Sequence, residues 1–192
     1  METDLPYLEP GGNYVFISNH QSYLDIPLIL SLFPDLDLRF LAKDSLFRIP
    51  IFGPGMWHTG HFSVNRENRR QGMKDLERVV QALKQGESAL IFPEGTRNSQ
   101  AEELLPFQSG AFIIVLKSGL PMVPIVLDGT RESLPRGAKT MRPARIRVKA
   151  LEPMDVQGSY SLKDREILKE EVRSTMQKEL QELRKWEKEA TG

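Results

Sequence analysis

The sequence predicts an α/β fold, with one mostly parallel or mixed central sheet flanked by helices. Short β-rich runs alternate with longer stretches of helical periodicity, which is the pattern of strands and helices around one sheet. The length of 192 residues suits one domain with a sizeable core, and no repeat or low-complexity linker divides it. We therefore expect a single domain over residues 1–192, with a motif-bearing core of about 13–150 and a long C-terminal helix of about 162–190.

Strands are predicted where β-branched and aromatic residues form short apolar runs between turn residues. These runs cover residues 14–18, 38–42, 61–65, 88–92, 122–129 and part of 144–155. Helices are predicted where apolar residues recur at intervals of three and four. Such stretches cover residues 22–33, 67–85, 110–119 and 162–190.

Two of the predicted helices have a clear apolar face. The helix over residues 67–85 is expected to bury Met73, Leu76, Val80 and Leu83. The helix over residues 162–190 is expected to bury Leu168, Val172, Met176, Leu180 and Leu183. Residues 43–58 are also strongly apolar, but prolines and glycines interrupt them, so we do not expect one straight helix there.

Composition excludes several classes of protein. Lys plus Arg and Asp plus Glu both number 26, so the basic excess typical of nucleic-acid binding is absent. With no cysteine there is no disulfide, no cysteine zinc site and no cysteine nucleophile. The sequence contains no apolar run of about 20 residues, and its first ten residues, METDLPYLEP, do not resemble a signal peptide. Glycine-rich nucleotide loops and the GxSxG elbow are missing too.

His20 and Asp25 are the first candidates for chemistry. They stand five residues apart in NHQSYLD, between a predicted strand and a predicted helix, so their side chains can face each other. A carboxylate bonded to one ring nitrogen fixes the tautomer and leaves the other nitrogen as a base. The alternative is an ordinary turn histidine with a capping aspartate. A metal site is not expected, because no third ligand lies nearby in the sequence.

A second candidate is the loop IFPEGTRNS at residues 91–99. Gly95 lets the backbone approach a ligand, and Arg97 is able to bind a phosphate with two hydrogen bonds. Glu94 is suited to orient a hydroxyl or hold an arginine. A tight turn with a surface ion pair explains the same residues.

Lys43, Arg66 and Pro124 are weaker candidates. Each of the two cations is able to add positive charge to an anion site, although a solvated surface charge is the simpler explanation. Pro124 lies in a predicted core strand, where a proline indicates an edge, a bulge or a boundary.

Taken in order, these segments resemble the glycerolipid acyltransferase family, which contains the bacterial 1-acyl-sn-glycerol-3-phosphate acyltransferases. The resemblance covers about residues 13–150. The matching segments are NHQSYLD, KDSLFRIPIFG with GHFSVNR, FPEGTRNS followed by LLPFQSGAF, and LPMVPIVLDGT. Four motifs in the family's order are a specific match, whereas each alone is weak. Asn65 stands where the family often has an acidic residue.

The resemblance implies an O-acyltransferase with a His–Asp base. His20 would deprotonate an acceptor hydroxyl, Asp25 would orient His20, and the hydroxyl would attack the thioester of acyl-CoA or acyl-ACP. The acceptor would be a lysophospholipid, most simply lysophosphatidic acid. Acceptor and phosphate would be held by Glu94, Gly95, Thr96 and Arg97 with Lys43 and Arg66, while Pro124 shapes the acyl-donor side. No cofactor beyond the thioester co-substrate is expected.

The resemblance also implies association with a membrane surface on the cytoplasmic face. The family commonly carries an N-terminal hydrophobic segment, which is absent here, so either the chain is a truncation or it docks by its own apolar surface. Candidates for that surface, for an acyl tunnel or for plain core are Phe47, Ile49, Ile51, Phe52, Met56 and Trp57.

Two other functions stay open. In the first, the acceptor is another lysolipid, such as a lyso-ornithine lipid or a phospholipid undergoing remodelling. The second is a non-catalytic module that binds a lipid or an anion. The intact pair of His20 and Asp25 favours an enzyme, because binding alone does not require a base.

Overall fold

The computed structural model describes residues 2–98 and 103–190, and within these ranges seven strands form one sheet flanked by helices. The strands are β1 (Glu2–Asp4), β2 (Val15–Ser18), β3 (Leu38–Lys43), β4 (Phe62–Val64), β5 (Ser88–Ile91), β6 (Met122–Asp128) and β7 (Arg147–Ala150). The helices are α1 (Asp25–Leu32), α2 (Phe52–His58), α3 (Arg69–Lys84), α4 (Ser109–Ser118), α5 (Thr130–Ser133) and α6 (Arg165–Ala190).

The order of strands across the sheet is β1-β7-β6-β2-β5-β3-β4. The five strands from β6 to β4 run parallel to one another, β7 is antiparallel to β6, and β1 is parallel to β7. The predicted fold class is therefore confirmed. Parallel strands need crossover helices, which explains why helices cover both faces of the sheet.

Core side chains form two layers, one on each face of the sheet. In β2, Val15 and Ile17 pack on the side of α3, α4 and α6, while Phe16 packs on the side of α1. Because successive side chains of a strand point to opposite faces, a strand buried on both faces is apolar throughout. This explains the continuous run that ends directly before Asn19 and His20.

Every strand and helix predicted from the sequence is present. Outside the interrupted segment 43–58, two short elements, β1 and α5, were not predicted. The three residues of β1 are Glu2, Thr3 and Asp4, which carry no apolar pattern and are held in the sheet by pairing with β7. Helix α5 has four residues, too few to show a helical period.

The apolar segment after β3 is broken, as its prolines and glycines predict. A 3-10 turn over Asp44–Arg48 leads to α2, and Ile51 between them has a φ of 69°. Of the six apolar candidates in this segment, Phe47 and Met56 are core, whereas Ile49, Ile51 and Trp57 are exposed, Ile51 at 91%. The side chain of Phe52 lies outside the described part of the structure.

Helix α3 departs from its predicted apolar face at one position. Met73 is 40% exposed, and Val79 is buried together with the predicted Leu76, Val80 and Leu83. Met73 lies in the first turns of α3, where the helix borders a cleft instead of the sheet. In α6 the predicted stripe is buried from Leu168 to Leu180, and Leu183 is half-buried.

Pro124 marks a bulge, one of the three possibilities that the sequence left open. Its carbonyl accepts from the amide of Leu151, so its nitrogen faces the β7 side of β6. On that side Ile125 pairs with Ala150 but Met122 pairs with Met154, which leaves one extra residue opposite β6. The amide that proline lacks therefore falls where the regular pairing is interrupted.

Candidate active site

Three adjacent strands deliver polar side chains to one edge of the sheet. Strands β5, β2 and β6 are parallel neighbours, so their carboxyl ends lie together. His20 follows β2, Glu94 follows β5 and Thr130 follows β6. In open α/β sheets, ligands bind outside the carboxyl ends of the strands, and this edge is therefore the candidate active site.

His20 and Asp25 form a hydrogen-bonded pair at this edge. Nδ1 of His20 lies 2.7 Å from Oδ2 of Asp25, which is fully buried. The same oxygen accepts from the amides of Gln21 at 2.6 Å and Ser22 at 2.8 Å. An oxygen that accepts from amides is best matched by a donor, so Nδ1 carries the proton and Nε2 keeps its lone pair. The pair is therefore arranged to act as a base through Nε2.

The position of His20 is set by the loop that follows β5. Its ring stacks on Phe92 at 4.1 Å between centroids. Its amide donates to Oε1 of Glu94 at 2.9 Å, and its carbonyl accepts from the amide of Asn98 at 2.7 Å. Backbone and ring are thus both fixed, while 14% of the side chain stays accessible.

On its other side, the His20 turn is joined to the end of β6. The side-chain amide of Asn19 donates to the carbonyl of Leu127 at 2.9 Å and accepts from its amide at 2.7 Å. Gln21 donates to the same carbonyl at 3.1 Å. Asn19 therefore continues the β2–β6 ladder with a side chain and holds the next residue in register.

Glu94 is a buried carboxylate that joins two loops. Oε1 accepts from His20, and Oε2 accepts from the amide of Leu105 at 3.0 Å. Burial raises the pKa of Glu94 to about 7, although both backbone hydrogen bonds favour the charged form. Its two oxygens therefore support the loop that carries the remaining candidate residues.

A cleft of about 880 Å³ opens beside this loop. Apolar side chains that line it include Leu41, Met73, Leu76 and Ile113, and the cations around it are Arg66, Arg69, Lys117 and Arg165. Phe92 also lines the cleft, with the ring of His20 stacked against it. Apolar walls with cations suit an amphiphilic anion.

Four of the predicted substrate-binding residues border this cleft, namely Arg66, Glu94, Gly95 and Thr96. The Arg66 guanidinium donates to the carbonyl of Gly95. Gly95 has a φ of 72°, a backbone conformation that favours glycine.

The other two predicted cations have contacts of their own. Nζ of Lys43 pairs with Glu67 at 2.8 Å, and the guanidinium of Arg97 lies 3.7 Å from the centroid of the Tyr23 ring. Neither residue borders the 880 Å³ cleft. Arg66 therefore borders the cleft whereas Arg97 does not, and phosphate binding by either one stays a prediction.

Pro124 does not lie at the carboxyl edge. It is buried inside β6, four residues before Asp128 ends the strand, which corresponds to about 13 Å along a strand. The bulge explains its position without a ligand. Its proposed part in shaping the acyl-donor side stays a prediction.

Sequence reasoning missed two residues that contact the pair. Phe92 ends a predicted strand and begins the motif FPEGTRNS, and Thr130 ends the motif LPMVPIVLDGT, but neither was assigned a role. Thr130 is fully buried, and its hydroxyl donates to Oδ1 of Asp25 at 2.5 Å. A hydroxyl directly after the Asp128–Gly129 turn, at the carboxyl end of a strand next to β2, was the available signal.

Comparison with known proteins agrees with the motifs. A family model described as Acyltransferase matches residues 2–128. The chain belongs to this acyltransferase family. The acyltransferase family includes 1-acyl-sn-glycerol-3-phosphate acyltransferases that resemble the chain, among them one from Escherichia coli strain K12, 32% identical over 187 residues, with 96% of this chain and 74% of that protein covered.

Relatives also occur outside bacteria, and a solved structure shares the fold. A 1-acyl-sn-glycerol-3-phosphate acyltransferase from Chlamydomonas reinhardtii is 38% identical over 148 residues, covering 75% of this chain and 44% of that protein. The crystal structure of the LPA acyltransferase PlsC from Thermotoga maritima has a TM-score of 0.76 at 28% identity, covering 95% of this chain and 72% of that one. The chain thus spans less than half of the Chlamydomonas acyltransferase. Among the helices of residues 2–98 and 103–190, none combines the length and apolar character of a membrane span.

Proposed function

We propose that this chain transfers a fatty acyl group from a thioester donor to the free hydroxyl of lysophosphatidic acid, forming phosphatidic acid. The observation that carries the proposal is the 2.7 Å contact between His20 and Asp25 at the carboxyl edge of an acyltransferase-family sheet. The relatives from Escherichia coli and Thermotoga maritima, whose names state this acceptor, support the choice of substrate.

In the proposed reaction, Nε2 of His20 removes the proton from the acceptor hydroxyl as its oxygen attacks the thioester carbonyl. Asp25 holds Nδ1–H and stabilises the imidazolium. When the tetrahedral intermediate collapses, the carbon–sulfur bond breaks and the imidazolium returns the proton to the thiolate. The acyl group passes directly to oxygen, so no acyl-enzyme forms. A positioned base of this kind contributes about 10² to 10⁴ in rate.

The acceptor is proposed to bind at the loop after β5. Gly95 and Thr96 present backbone and hydroxyl groups beside the cleft, and Arg66 lies against that loop. In this proposal further positive charge comes from Arg97, two residues after Gly95, and from Lys43 at the end of β3. Glu94 acts in this proposal by holding the loop, because both of its oxygens accept backbone hydrogen bonds.

The donor is proposed to be acyl-CoA or acyl-ACP, with the thioester as the co-substrate and no further cofactor or metal. A thioester is already activated for attack, so the remaining requirements are a base and a site that stabilises the developing oxyanion. The apolar cleft walls and the region of Pro124 are the proposed surroundings of the acyl chain.

We propose that the reaction takes place at a membrane surface, because the proposed acceptor is a lipid, and on the cytoplasmic face, as the family resemblance implies. Exposed Ile49, Ile51 and Trp57 on the segment after β3 support docking by the chain's own apolar surface. Co-sedimentation with vesicles containing phosphatidic acid tests this placement, and binding unchanged in the Ile51→Ser, Trp57→Ser double variant argues against this surface.

Thiol release from palmitoyl-CoA in the presence of lysophosphatidic acid tests the reaction. The parent protein is expected to release thiol only when both substrates are present, and His20→Ala to release none while unfolding at the same temperature. His58→Ala is the matched control, because His58 is an exposed histidine that contacts the carbonyl of Pro54 and not the pair. Full activity in His20→Ala would contradict the proposed role of His20 as the base.

A panel of acceptors separates the alternatives. If thiol is released with lyso-ornithine lipid or another lysophospholipid but not with lysophosphatidic acid, the proposed mechanism stands and the acceptor is a different lysolipid. Binding of lysophosphatidic acid vesicles, with no thiol released from palmitoyl-CoA in the presence of any acceptor, supports a non-catalytic lipid-binding module.

A further inference from the structure

The turn after β6 delivers a hydroxyl to the buried side of the His20–Asp25 pair. Gly129 has a φ of 92°, and a Cβ there would lie 1.9 Å from the carbonyl oxygen of Arg145, so only glycine fits this turn. Thr130 follows as the first residue of α5 and is fully buried. The Gly129 turn therefore fixes the position of Thr130, whose side chain is not accessible to solvent.

Thr130 completes the hydrogen bonding of the Asp25 carboxylate. Its Oγ1 lies 2.5 Å from Oδ1, whereas Oδ2 faces Nδ1 of His20 and two amides. Oγ1 also lies 3.4 Å from Oε1 of Gln21, but a hydroxyl has one proton, and the charged, closer oxygen is the stronger acceptor. Each carboxylate oxygen thus has its own donors.

We propose that Thr130 is a positioning residue for the base, a role that rests on the proposed function. By holding Oδ1, its hydroxyl fixes the rotation of the carboxylate, so that Oδ2 stays in line with Nδ1–H of His20. Removing the hydroxyl takes away the hydrogen bond to the buried Oδ1. The carboxylate is then free to rotate so that Oδ1 reaches another donor. The carboxylate then no longer fixes His20 in the Nδ1–H tautomer, and it no longer fixes the direction in which Nε2 points.

Two substitutions separate the hydroxyl from the shape of the side chain. Thr130→Val keeps the branched volume and removes the hydroxyl, while Thr130→Ser keeps the hydroxyl and removes a methyl group. Ser133→Ala is the matched control on the same short helix, because Ser133 is buried and donates to the carbonyl of Arg142, away from Asp25.

Thiol release from palmitoyl-CoA with lysophosphatidic acid is the first readout. We expect Thr130→Val to lower kcat about 10-fold to 100-fold, the scale of a misplaced catalytic group, with KM for both substrates nearly unchanged. Thr130→Ser and Ser133→Ala are expected to keep most of the parent kcat. A Thr130→Val enzyme with parent kcat, or equal losses in Thr130→Val and Ser133→Ala, overturns the inference.

The second readout does not need turnover. Proton–nitrogen NMR of the free protein is expected to show a slowly exchanging Nδ1–H of His20, assigned by its absence in His20→Asn. The signal should persist in Thr130→Ser and be lost in Thr130→Val, and its persistence in Thr130→Val overturns the inference. If the parent enzyme releases no thiol, the proposed function fails, while this comparison still decides whether Thr130 positions the pair.

Discussion

The backbone amide of His20 donates a 2.9 Å hydrogen bond to Oε1 of Glu94, 74 positions later in the chain. Oε2 of the same carboxylate accepts from Leu105. A single buried side chain therefore connects the turn after β2 with both ends of the segment that follows β5. Any change in the charge of Glu94 acts on the backbone of the candidate base.

The raised pKa of Glu94 predicts a stability that depends on pH. Because burial raises the pKa from 4.5 to about 7, the folded state binds more protons than the unfolded state between these values. Stability is therefore lost as the pH rises through this window, by about 2 to 3 kcal/mol between pH 5 and pH 8. Urea unfolding of the parent and Glu94→Gln at both pH values measures it. The parent should lose stability relative to Glu94→Gln, and parallel pH curves would contradict the assignment.

Arg97 is predicted to affect acceptor binding more than chemistry. Arg97→Ala is expected to raise KM for lysophosphatidic acid about 10-fold and leave kcat nearly unchanged, because a charge-assisted contact made in both ground and transition states is lost. A phosphate-free monoacylglycerol acceptor should be unaffected. Arg48→Ala, which removes an exposed arginine paired with Asp44, is the control. Equal effects of Arg97→Ala and Arg48→Ala on KM would exclude a specific phosphate contact.

Substitution by alanine is expected to lower the free energy of unfolding by different amounts at two glycines that both have a positive φ. Gly137 has a φ of 85° and open space around an added Cβ, so Gly137→Ala is expected to cost about 1 kcal/mol. Gly129→Ala adds a backbone clash with Arg145 and is expected to cost about 3 kcal/mol or more. Thermal and urea unfolding compare the two. Similar costs would show that the β6–α5 turn is able to relax.

Helix α6 is predicted to stabilise the candidate site through Arg184. Its guanidinium donates to Oδ1 of Asp128 at 2.9 and 3.1 Å, at the end of β6 directly before Gly129. Arg184→Ala is expected to lower the free energy of unfolding by about 1.5 to 3 kcal/mol, the range for hydrogen bonds to charged groups. Lys185→Ala, whose partner Glu182 is on the helix surface, is the control and should cost less than about 0.5 kcal/mol. Equal costs would indicate that the contact with Asp128 contributes little.

The local hydrophobic pattern of the sequence was sufficient to predict the strands and helices that are long or strongly apolar. The run before Asn19 predicted β2, and the periodicity of residues 162–190 predicted α6, within a few residues of the observed bounds. It failed for β1 and α5, which have three and four residues. It also placed Met73 in the core, because periodicity defines a face of a helix but not how far the sheet extends along it.

The sequence by itself determined the α/β class, the order of the longer elements and the spacing that lets His20 face Asp25, because each depends on residues close together in the chain. Only the tertiary structure decided that Thr130 reaches Asp25 across 105 positions and that Glu94 holds the backbone of His20. It also decided that Arg66 borders the cleft, whereas Arg97 lies over the ring of Tyr23. These relations follow from the order β6-β2-β5 in the sheet, and strand order is set by the packing of the whole core, which no short stretch of sequence encodes.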